Sequence, residues 1–181
     1  MWEDPRKNPP IPWSRPTDWQ AAQLSIHHHI AGLSGVREFL LPLARRLEAR
    51  FGAVASQMEA LCAHTCTYCP EPCCLRASVW YDFRDLLGLH LYGKSIPTGQ
   101  PISDYGNACR YISLSGCMLP RSIRPWICTW YLCPVQKRWL QKQSGDRGRS
   151  LGLALGRIKT ERALLEDKFI AATCRWVLCE N

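Results

Sequence analysis

No stretch of this 181-residue chain reaches the roughly 20 mainly apolar residues that a membrane-spanning helix needs. The longest uncharged run, residues 19–36, carries three histidines, two glutamines and two serines. Its first residues lack a basic-then-apolar run and a cleavage site, so no secretory signal is read and a cytoplasmic location is expected. Alternating strand patterns are scarce, and no repeat of solenoid period occurs. Also missing are paired carboxylates, a Ser–His arrangement and a phosphate-binding glycine loop, which removes the common independent routes to a catalytic reading.

What the chain has in excess is cysteine. It holds eleven, of which nine lie between Cys62 and Cys133 and only Cys174 and Cys179 fall outside. In a reducing compartment such a density reads as metal ligation rather than disulfides. The net charge of +8 is equally uneven. Residues 1–120 hold 11 Lys/Arg against 10 Asp/Glu, residues 121–162 hold 10 against 2, and the rest 2 against 3. That basic block is read first as a solvated helix face and second as a surface for phosphate or acidic protein.

With 46% apolar and 21% charged residues, the composition is that of one globular domain. Five of the thirteen prolines fall in residues 1–20, so these are expected to be extended and pinned by Trp2, Trp13 and Trp19, as part of a Pro/Trp-rich N-terminal arm of residues 1–33. Residues 34–181 are expected to be the domain proper. Phe39, Leu40, Leu43, Leu47, Phe51, Val54, Met58 and Leu61 recur near every 3.6 positions and mark a helix from residue 36. Ser34 is its expected cap, and Pro42 is expected to kink it or delay its start.

A second helix is signalled by Asp82 as cap, Asp85 three positions on and Gly93 as stop. A third begins at Pro134 with Gly145 beyond it, and a fourth covers roughly 150–173 with Arg162 and Glu166 as a flanking pair. The expected fold is a small, mostly α domain of about four helices with cysteine-rich metal-binding loops between them.

The first cysteine group is Cys62, Cys66, Cys69, Cys73 and Cys74; the second is Cys109, Cys117, Cys128 and Cys133. Two or three intervening residues let a chain fold back so that successive thiolates face one centre, as at zinc and iron–sulfur sites. The metal ligands read from this pattern are Cys66, Cys69, Cys73, Cys74, Cys109, Cys117, Cys128 and Cys133. Neighbouring Cys73 and Cys74 point to opposite sides in extended backbone, so one of them serves a second centre or packs. The two groups are expected to converge although Cys74 and Cys109 are 35 positions apart. Cys62 falls on the apolar face of its helix and is assigned to the core, Cys174 and Cys179 to structural or free roles. A helix starting at Pro134 points its positive end at Cys133 and favours the thiolate.

At this pattern the chain resembles the YkgJ-type cysteine-cluster family, zinc- or iron-chelating proteins. The resemblance covers about 70 residues and rests on the pair Cys73 and Cys74, then Cys109, then Cys117 followed by Met118 and Leu119, then Arg124, Pro125 and Cys128 with the aromatics Trp130 and Tyr131. Three residues stand before the pair where the family has two, and Pro120 stands where Tyr is usual. The resemblance implies a metal centre. Through the similar N-terminal domain of flagellin lysine methylases it implies an iron–sulfur cluster, of the 4Fe–4S type, with zinc as the alternative.

Among the histidines, His27, His28 and His29 are read as a polar turn, His90 as a hydrogen-bonded core residue and His64 as a minor ligand candidate. Trp80, Trp126, Trp130 and Trp139 flank the cysteine loops and suit a dry shell as well as ordinary packing. Three functions follow. The first is a metal-chelating protein in electron transfer, metal handling or accessory work. The second is a zinc-stabilised adaptor that binds nucleic acid or protein through residues 121–162. The third is a radical-SAM-like enzyme, since Cys62, Cys66 and Cys69 with Tyr68 match that spacing, but it needs a partial β/α barrel that the mostly helical pattern does not offer.

Overall fold

A computed structural model describes residues 10–32, 35–67, 69–70, 72–75, 77–113, 116–143 and 146–179, with Cys73 and residues 175–179 described by their backbone alone. Among these residues the chain forms six α-helices: α1 (Pro16–Gly32), α2 (Val36–Thr65), α3 (Phe83–Tyr92), α4 (Ile127–Trp130), α5 (Pro134–Lys142) and α6 (Arg147–Cys179). Two 3-10 turns, Cys73–Leu75 and Arg121–Ile123, and one hairpin complete it. In the hairpin, β1 (Ile112–Ser113) pairs antiparallel with β2 (Gly116–Cys117), placing Ile112 opposite Cys117. The mostly α expectation holds. No partial β/α barrel is present among the described residues, and none of their helices is long and apolar enough to cross a membrane.

The framework is α2 laid on α6, with α3 against both and α1 against α2 and α3. The 3.6-residue spacing read from the sequence becomes the buried stripe Leu40, Leu43, Leu47, Val54, Met58 and Leu61. It meets Leu151, Leu155, Ile158, Leu165 and Phe169 of α6 and Leu86, Leu87, Leu89 and Leu91 of α3. Helix α2 runs unbroken from Val36 through Pro42, so the late start does not occur. Pro42 and Glu38 are both exposed, and the Glu38 carbonyl that loses its partner faces water. The cap position is Gly35, at φ 81°; Ser34 lies outside the described residues.

The expected arm is corrected in its second half. Residues 16–32 are helical because Pro16 occupies the first turn, where its missing N–H costs nothing, and no proline follows. Trp19, Ile26 and Ile30 bury one face, and Trp19 Nε1 donates to Pro97 O at 3.0 Å. His27, His28 and His29 therefore sit in a helix, not a turn. Trp13 packs on the core, and Trp2 lies outside the described residues.

Helix α3 has the reciprocal Asp82–Asp85 capping box and stops at Gly93, φ 64°. Helix α5 starts at Pro134 as expected, while Gly145 lies outside the described residues. Arg162 does not pair with Glu166. It is 3% exposed and reaches across to α3, with Nη1 2.6 Å from Asp85 Oδ1 and Nη2 2.7 and 2.8 Å from the two oxygens of Asp82. Glu166 instead accepts from Arg84 at 2.6 Å. Two carboxylates, one of them buried, outcompete the single one a turn away on the same helix.

Candidate metal centre

The cysteine loops have little regular structure, so polar struts set their path. Gln100, 1% exposed, accepts from Tyr81 N at 2.7 Å and donates to Tyr81 O at 3.0 Å and Pro12 O at 2.7 Å. Tyr81 in turn donates its hydroxyl to Ile123 O at 2.6 Å. Arg110 N donates to Pro101 O and Met118 N to Tyr111 O, both at 2.8 Å, which bends residues 101–118 into a fold ending in the hairpin. Asp85 accepts from Trp126 N at 3.0 Å and so ties the start of α4 to the capping box of α3.

These struts bring Cys74, Cys109, Cys117 and Cys128 from four separate segments to the wall of one cavity of about 430 Å³. Cys109 and Cys128 also pack on a small apolar cluster of Ile11, Val79 and Ile102. Burial pushes the Cys128 thiol up to about 12, and negative charge on Cys74, Cys117 and Cys109 would push it the same way. Burial raises Cys109 as well, against a backbone hydrogen bond from Tyr111. Left to themselves Cys109 and Cys128 hold their protons more tightly than a free thiol. A cation placed among the sulfurs reverses that preference.

A second set gathers at the end of α2. Cys62 and Cys66, one turn apart, present their sulfurs to Gln136 on α5, whose Nε2 donates to Cys62 Sγ at 3.5 Å and to Cys66 Sγ at 3.7 Å. Gln136 is 5% exposed. Its backbone N–H donates to Cys133 Sγ at 3.4 Å, and its Oε1 accepts from Cys133 N at 3.1 Å. Arg121 Nη2 donates to Cys62 Sγ at 3.4 Å. Burial raises the Cys66 thiol, the Thr65 hydroxyl pulls it down, and Cys62 and Cys133 push it up again.

The convergence expected across 35 positions is thus present, but as two sets. Cys74, Cys109, Cys117 and Cys128 line the cavity; Cys66 and Cys133 gather around Gln136, and Cys62 belongs to both, lining the cavity and accepting from Gln136. Cys69 is half-buried in the turn after α2, its N–H bonded to Cys66 O at 3.2 Å, and the side chain of Cys73 lies outside what is described. Among the described residues no three His, Cys, Asp or Glu side chains are already arranged to hold a metal ion. Sequence reasoning assigned Cys62 to the core because it follows the apolar stripe. The signal for its place beside Gln136 was its four-residue spacing from Cys66, which puts both on one helix face.

His64 stacks on Trp139 at 5.2 Å and 16°. His90 does not behave as a hydrogen-bonded core residue: its Nε2 is buried with no partner, and its ring lies 6.1 Å from that of His27. Of the flanking tryptophans, Trp130 lines the cavity, Trp126 packs edge-on against Phe51 at 5.5 Å, and Trp80 packs against Tyr105 at 6.1 Å. The basic stretch is divided. Arg121, Arg124 and Arg162 turn inward, to Cys62, to Leu119 O and to the capping box. Lys137, Arg138, Lys142, Arg147, Arg149, Arg157 and Lys159 are exposed on α5 and α6. No family model, curated protein or solved structure matches the chain.

Proposed function

We propose that the chain is a cysteine-cluster metal protein that holds an iron–sulfur centre on Cys74, Cys109, Cys117 and Cys128 and works in electron transfer, metal handling or as an accessory factor. The observation that carries this reading is the meeting of those four thiols, from segments spread over 55 positions, around a single cavity of about 430 Å³. The donor set fits the group: it is all sulfur, with no imidazole or carboxylate lining the same cavity. An iron–sulfur cluster would supply one-electron chemistry there. The chain's own part is to hold four thiolates in place and to keep water off Cys109 and Cys128 with Val79 and Ile127. The resemblance to YkgJ-type proteins points the same way, and a reducing, cytoplasmic setting suits free thiols.

Purification without air and absorption spectroscopy test it. Brown protein that loses its colour in Cys109→Ser and Cys128→Ser but not in Cys174→Ser supports the reading. Colourless protein with stoichiometric zinc rejects iron and leaves the chelating site; protein that takes up no metal rejects both. The seven exposed cations of α5 and α6 keep a second reading in play, an adaptor for an anionic partner with zinc at the same site. Binding to nucleic acid that weakens steeply between low and physiological salt is its signature, and absent or salt-independent binding rejects it.

A further inference from the structure

We propose that the cleft between α2, α3 and the 3-10 turn at Arg121–Ile123 binds a small, doubly charged oxyanion of phosphate size, held by the guanidinium groups of Arg121 and Arg124. The site is distinct from the exposed cations of α5 and α6, and it does not depend on a metal. A cavity of about 220 Å³ lies there. Its wall carries five cations, Arg84, Lys94, Arg121, Arg124 and Arg162, against two carboxylates, Glu48 and Asp85. Both carboxylates are already answered: Lys94 Nζ lies 2.8 Å from Glu48 Oε1, and Arg162 Nη1 lies 2.6 Å from Asp85 Oδ1. Arg84 is taken by Glu166 at 2.6 Å. Among the described residues this leaves Arg121 and Arg124 as the two cations of the wall with no carboxylate partner.

Arg121 supplies a second, independent observation. Its Nε is buried and has no hydrogen-bond partner among the described residues, while its Nη2 reaches only a sulfur, Cys62 Sγ at 3.4 Å. A buried guanidinium N–H without an acceptor is rare in a folded chain, and an oxyanion supplies the missing acceptor. The local fold sets a second guanidinium beside the first. Arg124 N donates to Arg121 O at 3.2 Å, closing one turn, and in a 3-10 turn positions three apart project from the same side. Arg124 is steadied through its Nε, which donates to Leu119 O at 2.8 Å, so the Nη edge of its fork is what it can offer a ligand. Two planar forks suit the oxygens of a tetrahedral oxyanion, and two unanswered positive charges match a dianion. Ser122, Thr129 and Tyr92 add hydroxyls to the same wall. The volume is below the roughly 300–1,000 Å³ of sites for drug-sized ligands, so it admits a free ion or a very small phosphorylated acid and not a nucleotide.

The test is isothermal titration of the full-length protein, isolated without air, with inorganic phosphate at pH 8 and fixed low ionic strength, and with acetate in a parallel arm. One equivalent of phosphate is expected. Arg121→Gln and Arg124→Gln should each weaken it by about tenfold or more, since each removes a charged donor. Arg157→Gln, at an exposed cation of α6, should leave it unchanged. Both arginines also line the sulfur cavity, so the anion's place needs its own variant. Gly52 lines the 220 Å³ cavity and not the sulfur one, and a Cβ built on it meets nothing within 4 Å. Gly52→Leu therefore keeps both arginines, suits the helix and fills the space, and should also weaken phosphate by about tenfold or more. Circular dichroism confirms that each variant is folded, and the Gly52 variant stays informative if an arginine variant is not. Absence of phosphate binding, or several weak equivalents that Arg157→Gln also reduces, overturns the site. Full affinity in Gly52→Leu overturns its placement in this cavity, and acetate bound as tightly as phosphate overturns the doubly charged ligand.

Discussion

The two sulfur sets differ less in how many thiols they bring than in what surrounds them. Cys74, Cys109, Cys117 and Cys128 come from loops and short elements, and Cys109 and Cys128 pack against apolar side chains, so burial holds the Cys128 proton on up to about 12. Cys62, Cys66 and Cys133 come from helix ends and meet hydrogen-bond donors. In the first set burial works against the thiolates of Cys109 and Cys128. In the donor-lined set Gln136 and Arg121 bond directly to the sulfurs and tie α2 to α5 and to the 3-10 turn at Arg121–Ile123.

Metal removal should separate the two most sharply. Because a bound metal stabilises by its linked binding energy, and each kcal/mol is worth about 2–4 °C for a chain of this length, chelation should lower the melting temperature by about 10 °C or more. Calorimetry of holo variants should show most of that loss in Cys128→Ser and little of it in Cys66→Ser. Equal losses would erase the contrast.

Next in size is Arg162→Ala. It strands the Asp85 carboxylate that ties Trp126, two residues before Cys128, to α3, and should cost about 3–5 kcal/mol in denaturant unfolding. Burial pushes the Asp85 carboxyl up to about 7, with Arg162 pulling against it. Without Arg162 it rises further. The folded variant then holds a proton above pH 7 that the wild type has released, so the deficit should grow as pH climbs above about 7 and level off below it. A deficit that shrinks above pH 7 would mean that Asp85 is not the group left uncompensated.

Gln136→Leu keeps the volume and removes the amide that donates to both Cys62 and Cys66 and accepts from Cys133 N. Stability should fall by about 1–3 kcal/mol, as denaturant unfolding would show, because three bonds that join α2 to α5 and cap α5 go together. The smallest effect is expected from Tyr81→Phe, which removes the bond to Ile123 O and leaves the ring; about 1 kcal/mol of stability should go. A larger loss, read by thermal melts, would make that strut more than a local tie.

Where local rules decide, the sequence was legible. The stripe of α2, the Asp82–Asp85 box and the start of α5 after Cys133 all appear as read, because each depends on residues within a turn or two. Helix α1 was missed because proline counts over residues 1–20 ran across a boundary at Pro16, on whose far side no proline remains. The partner of Arg162 was misjudged because the neighbour in sequence is Glu166, whereas the carboxylates it meets lie 77 and 80 positions away. Cysteine spacing revealed that thiols gather. Their sorting into two sets depends on Gln136 and Arg121, whose reach to Cys62 spans 74 and 59 positions and leaves no periodic trace.

X-ray absorption at the metal edge of anaerobically isolated protein reads the central claim most directly. The account predicts iron whose nearest neighbours are all sulfur, at about 2.3 Å, with iron–iron scattering beyond them, and the loss of that pattern in Cys128→Ser. Nitrogen or oxygen as the dominant neighbours, or an unchanged spectrum in Cys128→Ser, would contradict it.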